Sequence, residues 1–246
     1  TLRSPFHHCF YGTVSFPDNS MNLAYDYIKG QLLDQFPHKN APKFEKLSLL
    51  NDLISGIAEL HLNKLLFRDL KFTDFYISDS NCGFLINFNR VRPFNDCNDF
   101  VRKTYMNNPH VAIELTRGGT CTQFADIYSI GIMMYVILTC EIPHSFKKLP
   151  HLPAEFQFLT DLYEKCLYPI PSERPVALNV LNLFYAAVFD NLDRRIAESK
   201  EKKDKDISDY DQEEEEEEEE YDEEERNRRI EQAMMFHNVH KFLSRM

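Results

Sequence analysis

Between Arg68 and Asp74 the chain gathers a guanidinium, an ammonium and two carboxylates within seven residues, as Arg68-Asp69-Leu70-Lys71-Phe72-Thr73-Asp74. Carboxylates in such a loop can take a proton or offer oxygen to a hard cation, and the basic groups can meet an anion. Eighteen residues after Asp69 comes Asn87-Phe88-Asn89, a polar-aromatic-polar turn that carries no charge. The remaining sequence is read for the elements that must position these groups.

Two β-prone runs, 11–16 and 22–27, are separated by Pro17-Asp18-Asn19-Ser20, which predicts a hairpin. Gly30 is expected to break the strand, and residues 31–36 to form a short helix. Apolar residues at 47, 50, 54, 57 and 60 give the helical period, so 44–63 reads as a long amphipathic helix. A second hairpin is predicted from 75–78 and 84–86, around Asp79-Ser80-Asn81-Cys82-Gly83. Residues 88–120 lack a clear period and suggest a long functional loop. Residues 123–139 are apolar nearly all round and should form the buried axis of the domain. Two more helices, 154–168 and 176–189, are expected, with Pro169, Pro171 and Pro175 between them.

Charge is distributed unevenly. The net charge is −11, but residues 200–225 alone carry about −13, including the unbroken run Glu213 to Glu220, which leaves the rest near +2. A block of like charge repels itself and is expected to stay solvated and disordered. No nucleic-acid-binding face is expected on the near-neutral remainder. Hydrophobic residues make up 43%, with 20 Phe and 12 Tyr, enough for a substantial core. Cys9, Cys82, Cys97, Cys121, Cys140 and Cys166 form no Cys-x-x-Cys pair and read as isolated thiols in a reducing compartment. The apolar run 127–140 is shorter than a bilayer span, so no membrane association is expected. The expected location is the cytoplasm, with the nucleus as an alternative. His7, His8 and His61 read as packing or surface residues rather than metal ligands.

The order of elements and several local stretches resemble the large lobe of eukaryotic protein kinases. Arg68-Asp69 with Asp74 is similar to the family's His-Arg-Asp-x-x-x-x-Asn loop, and Asn87-Phe88-Asn89 to its Asp-Phe-Gly turn. Leu23 to Gly30 resembles the strand and linker that join the two lobes, and Leu60-His61 the end of the family's long helix. Ala112-Ile113-Glu114 stands where the family has Ala-Pro-Glu. Asp126-Ile-Tyr-Ser-Ile-Gly131 matches the start of its buried helix, and Ser172-Glu-Arg-Pro175 supplies the arginine that pairs with Glu114. The similarity covers roughly residues 7–190.

The resemblance implies Asp69 as the base for an acceptor hydroxyl, Lys71 on the transferred phosphate, and Asp74 with Asn87 at the metal positions. It implies nucleotide contacts at Tyr25, Asp26, Tyr27 and Ile28, with Tyr25 at the gatekeeper position. Arg68, Glu114, Asp126 and Arg174 take scaffold roles, and Thr104 and Tyr105 fall where phosphorylation would occur. Departures point away from ordinary catalysis. Asn87 replaces the metal-binding carboxylate, Asn89 the turn glycine, and Phe67 the histidine beneath the turn; no Gly-rich loop or Lys-bearing strand can be placed.

The expected fold is α+β: a protein-kinase-like, mainly helical large lobe with a short remnant of the small-lobe sheet. Its parts are a remnant at 1–28, the large lobe at 29–190, an acidic linker at 191–225 and a basic amphipathic helix at 226–246. The expected function is that of a pseudokinase that binds protein partners as a scaffold or allosteric module. ATP and Mg²⁺ are expected only if the chain is active. Two alternatives stand beside this: an active or weakly active Ser/Thr or Tyr kinase with its small lobe encoded upstream, and a gene fragment acting only through its tail and terminal helix.

Overall fold

The hairpin signal at residues 11–27 is met in the computed structural model, which describes residues 5–7, 10–18, 20–35, 41–96, 110–142 and 150–209, with side chains through residue 200. Strands β1 (Phe10–Ser15) and β2 (Met21–Tyr25) pair antiparallel, with a bulge between Phe10 and Gly12. Met21, Leu23 and Tyr25 alternate with Asn22 and Ala24 along β2, as a pleated strand requires. Phe10 and Tyr25 close one end of the ribbon with rings 5.5 Å apart.

Gly30 starts strand β3 (Gly30–Leu32) instead of breaking one, and the helix expected at 31–36 is reduced to a 3-10 turn at Leu33–Gln35. The cause is steric. A Cβ at residue 30 would lie 2.0 Å from the Ile77 carbonyl oxygen, so only glycine lets the two backbones approach closely enough to pair.

Helix α1 (Lys43–Leu62) matches the predicted stretch to within a residue at each end. Its helical period understates its burial, for Leu49, Leu50, Leu53, Ile54 and Ile57 are all at most 1% exposed. Lys46 is buried too, and its Nζ donates to the Leu138 carbonyl at 3.0 Å, where helix-end carbonyls favour a cation.

After α1 come β4 (Leu65–Leu66), β5 (Phe75–Ser78), β6 (Gly83–Leu85) and β7 (Arg92–Pro93). The strand order β3-β5-β6 forms a three-stranded antiparallel sheet, and β4 pairs with β7. Residues 5–7, read as part of the small-lobe remnant, instead join the large lobe. The Leu85 amide donates to the Phe6 carbonyl at 2.8 Å, and His7 forms a bridge beside Leu85.

Within residues 88–120, read as one long loop, the described part holds β7 and the one-turn helix α2 (Ile113–Thr116). Helix α3 (Gln123–Thr139) has the predicted bounds and is buried over most of its surface; it packs on α1. Cys140 ends it in the left-handed conformation. The helix expected at 154–168 begins as 3-10 turns at Ala154–Leu159 and becomes α4 (Thr160–Cys166), which packs on α3.

Helix α5 (Ala177–Asp209) runs about twenty residues beyond its predicted end, through the first part of the segment read as a disordered linker. Strong helix formers and i,i+4 charge pairs explain this, as where Arg194 Nε lies 3.7 Å from Glu198. The chain divides into two units, residues 1–183 and 184–246, and α5 crosses the division. The remainder of the acidic run and the helix expected at 226–246 lie outside the described residues. Among the described residues no helix is long and apolar enough to cross a membrane.

Replacing Gly30 with alanine is expected to cost about 1–3 kcal/mol through the forced separation of β3 from β5. An unchanged urea or thermal midpoint in Gly30→Ala would contradict this account of the strand.

Candidate functional site

The loop at 67–74 is built on a buried carboxylate. Asp126, in the first turn of α3, is 0% exposed and accepts three hydrogen bonds: from Phe67 N at 2.8 Å, Arg68 N at 2.7 Å and His61 Nε2 at 2.9 Å. Two successive backbone amides can point at one carboxylate only if the chain turns sharply, and Arg68 has φ 81°. Phe67 then lies beneath the turn after β6, with its ring 5.9 Å from that of Phe88. His7 packs edge-on against Phe88 at 5.4 Å, donates to Gly56 O at 3.0 Å, and has its proton affinity lowered by burial.

From this base the chemistry-bearing groups fall into two clusters. In the first, Asp69 Oδ2 meets Lys71 Nζ at 3.0 Å and also pairs with Arg90 Nη1, while Oδ1 lies 3.6 Å from His110 Nε2. Burial opposes a charge on Asp69, but His110, Lys71 and Arg90 together outweigh it and hold the carboxyl below the usual carboxylate range. In the second cluster, Asp74 Oδ1 accepts from Asn87 Nδ2 at 2.9 Å and Oδ2 from Lys71 N at 2.9 Å. Burial, with a contribution from the Asp69 charge, raises the proton affinity of Asp74 despite those bonds.

Asn87 also donates to Thr73 O at 3.2 Å. Both of its partners are acceptors, so the amide nitrogen is the atom that faces Asp74. The left-handed residue of the turn is Asn87 itself, at φ 62°, while Asn89, where the family has the turn glycine, does not have a positive φ. Asparagine takes this conformation more readily than most residues.

Tyr25, Asp26, Tyr27 and Ile28 line a cleft of about 420 Å³ together with Tyr76, Ile86, Asn87 and Phe88. That volume is within the range of small-molecule sites. Tyr76 projects from β5 between the buried Phe75 and Ile77, and its hydroxyl donates to Ile28 O at 3.1 Å. The linker between β2 and β3 is thereby tied to the sheet below it.

A third constellation is a scaffold. Arg174 pairs with Glu114 through Nη1 at 2.7 Å and Nη2 at 2.9 Å, a bidentate contact with the arginine 2% exposed. The same guanidinium donates to Phe124 O and Tyr168 O, each at 2.8 Å, and lies over the Tyr128 ring.

The protein kinase domain family model matches residues 3–186, three-quarters of the chain. The chain belongs to the protein kinase family. Relatives include the serine/threonine-protein kinase PrkC of Bacillus subtilis, 26% identical over 146 residues, which are 56% of this chain and 22% of that protein. The serine/threonine-protein kinase STY17 of Arabidopsis thaliana is 26% identical over 212 residues, 79% of this chain and 36% of the relative. The chain thus spans between about a fifth and a third of the length of these relatives.

Where the kinase family places two oxygen ligands for a magnesium ion, this chain has the Asp74 carboxylate and the neutral Asn87 amide, and each Asp74 oxygen accepts one hydrogen bond, from Lys71 N and from Asn87 Nδ2. Among the described residues no group of three or more His, Cys, Asp or Glu side chains is placed to hold a metal ion.

Several site residues carried no signal in the sequence. Arg90 lies just past the polar-aromatic-polar turn, and His110 in the stretch without period; nothing in spacing aims either one at Asp69. Tyr76 was in principle legible, because it takes the opposite face from Phe75 and Ile77 in a predicted strand. Thr104 and Tyr105 lie outside the described residues.

Removing Glu114 strands the buried Arg174 charge. Glu114→Ala is expected to cost about 3–5 kcal/mol, read as a fall in the denaturation midpoint. A loss of well under 1 kcal/mol would instead class the pair with weak surface bridges.

For Asp69 the sign follows from a folded-state pKa below the unfolded one. Its stabilisation is present above the unfolded value and is lost as pH falls through the folded value. Asp69→Asn is therefore expected to destabilise at neutral pH, with the gap from the parent chain closing below the ordinary carboxylate range. Urea titrations at several pH values check this, and a gap that widens on acidification would reverse the assignment.

Proposed function

We propose that this domain is a pseudokinase: a kinase-family module that acts by binding protein partners, as a scaffold or allosteric element of intracellular signalling, and not by transferring phosphate. The observation that carries the reading is the hydrogen bond from Asn87 to Asp74. Phosphoryl transfer depends on a divalent ion to neutralise the developing charge on phosphate. A neutral amide that donates to the remaining carboxylate supplies neither the charge nor the open oxygen for that ion. The scaffold, by contrast, is intact, which suits a domain whose use is its shape.

A second reading has one observation in its favour. Lys71 and Asp69 lie 3.0 Å apart, the proximity a phosphate-binding lysine and a proton-accepting carboxylate would need. On that reading the chain is an active or weakly active protein kinase that uses ATP and Mg²⁺.

A thermal-shift titration of the full chain with ATP, alone and with Mg²⁺ or Mn²⁺, separates the two. A ligand at one hundred times its Kd stabilises by about 2.7 kcal/mol, readily seen as a shift in Tm. The expected result is a shift with ATP that the metals do not enlarge, or no shift at all, together with no transfer of radiolabel. A metal-dependent increase, with phosphate transfer abolished by Asp69→Asn, would overturn the pseudokinase reading.

A further inference from the structure

Residues 5–7 reach the rest of the domain through a short apolar seam. The Leu85 amide donates to Phe6 O at 2.8 Å, and His7 pairs in parallel with Leu85. The Phe6 side chain packs over Gly56, where an added Cβ would come within 3.4 Å of it. The His7 ring, 5% exposed, closes the seam. Its Nε2 donates to Gly56 O at 3.0 Å, and it meets the Phe88 ring edge-on at 5.4 Å. Phe88 in turn packs on Phe67 and lines the cleft beside Asn87. The imidazole is therefore a wedge between α1, the edge of β6 and the turn that follows it.

An imidazole in such a seam differs from an aliphatic side chain because it can acquire a charge. With the Nε2 proton committed to Gly56 O, a second proton must go to Nδ1, which brings a full charge into a nearly dry site. Of the elements packed on the ring, α1 brings the Glu59 carboxylate, one turn beyond Gly56. β6 and the turn bring Leu85 and Phe88, which do not titrate. Burial outweighs the attraction of Glu59 and the hydrogen bond to Gly56, so the ring holds a proton less readily than an ordinary histidine.

We propose that His7 is a pH-sensitive latch: its neutral ring seals residues 5–7 against α1 and β6 and props Phe88, and its protonation releases that segment. The sign follows from the burial of the ring. A released, solvated ring takes a proton at the ordinary histidine value, while the docked ring resists it to lower pH. The latch is therefore fully closed above the ordinary value and weakens as pH falls below it, until the docked ring is itself protonated. Release removes one of the two rings against Phe88, so the turn at Asn87 loses its support from the first segment. The inference rests on contacts within the fold and not on nucleotide, metal or partner, and so stands apart from the pseudokinase reading.

The test is amide hydrogen exchange of the full chain, read by NMR and expressed relative to the intrinsic exchange rate at each pH. Protection of the Leu85 amide, which is bonded to Phe6 O, should fall by up to about tenfold between about pH 7.5 and 5.5, the range over which a released histidine charges. The Ser78 amide, bonded to Cys82 O at 3.0 Å in the β5–β6 hairpin, should keep its protection, which separates release of the latch from general unfolding. In His7→Gln, whose amide still donates but does not titrate, the fall at Leu85 should vanish. The His7 ring signal of the parent chain should titrate below the ordinary value of 6.5, a readout that needs no variant. Leu85 protection that ignores pH, a fall shared by Ser78 or kept in His7→Gln, or a ring midpoint at or above 6.5 would each overturn the proposal.

Discussion

The site depends on one buried charge. Asp126 is the fully enclosed carboxylate that receives the amides of Phe67 and Arg68 and the imidazole of His61, and so joins the end of α1, the loop after β4 and the start of α3. A carboxylate without water is tolerated only when its lone pairs are filled, and here two backbone amides and an imidazole fill them. The consequence is local strain, with Arg68 at a positive φ that an arginine would not otherwise adopt. Loop direction, and with it the placement of Asp69, Lys71 and Asp74, follows from satisfying that one group.

The charged groups divide by what they do next. Asp126 and the Glu114–Arg174 pair are spent entirely on the fold: their partners are backbone amides, carbonyls, the His61 imidazole or each other, at bonding distance. Lys71 and Arg90 sit at the boundary and keep part of their surface open, over an Asp69 that is itself enclosed. Removing a scaffold charge leaves a buried orphan, whereas removing a boundary charge changes what can approach. The family's shape can therefore persist while its chemistry drifts, because the two rest on different ionic contacts.

Much of this architecture was legible in the residues. Short β-prone runs on either side of turn residues located β1, β2, β5 and β6, and continuous apolar character gave α3 its bounds. The pairing of Glu114 with Arg174, sixty residues apart, came only from the kinase resemblance; spacing alone cannot show it. Gly30 was misread because glycine signals both a break and a close approach of two backbones, and the sequence does not say which. The extension of α5 is hidden by a composition that signals solvation, because mixed Lys, Arg, Glu and Asp at helical spacing also stabilise a helix. The approach of Arg90 to Asp69 is invisible in the sequence for a simpler reason: the turn at Asn87 decides where Arg90 points, and that is backbone geometry.

The Asp74–Asn87 contact explains how such a site can fold without an ion. Two carboxylates facing each other across this turn would repel, and each would raise the other's proton affinity unless a cation lay between them. An amide at residue 87 turns that repulsion into a hydrogen bond of 2.9 Å, and a second one to Thr73 O anchors the turn. Burial, with the Asp69 charge, raises the proton affinity of Asp74 even with both of its oxygens accepting hydrogen bonds. Asparagine also adopts the left-handed backbone at this position with little strain, so one residue supplies both the turn and the hydrogen bond.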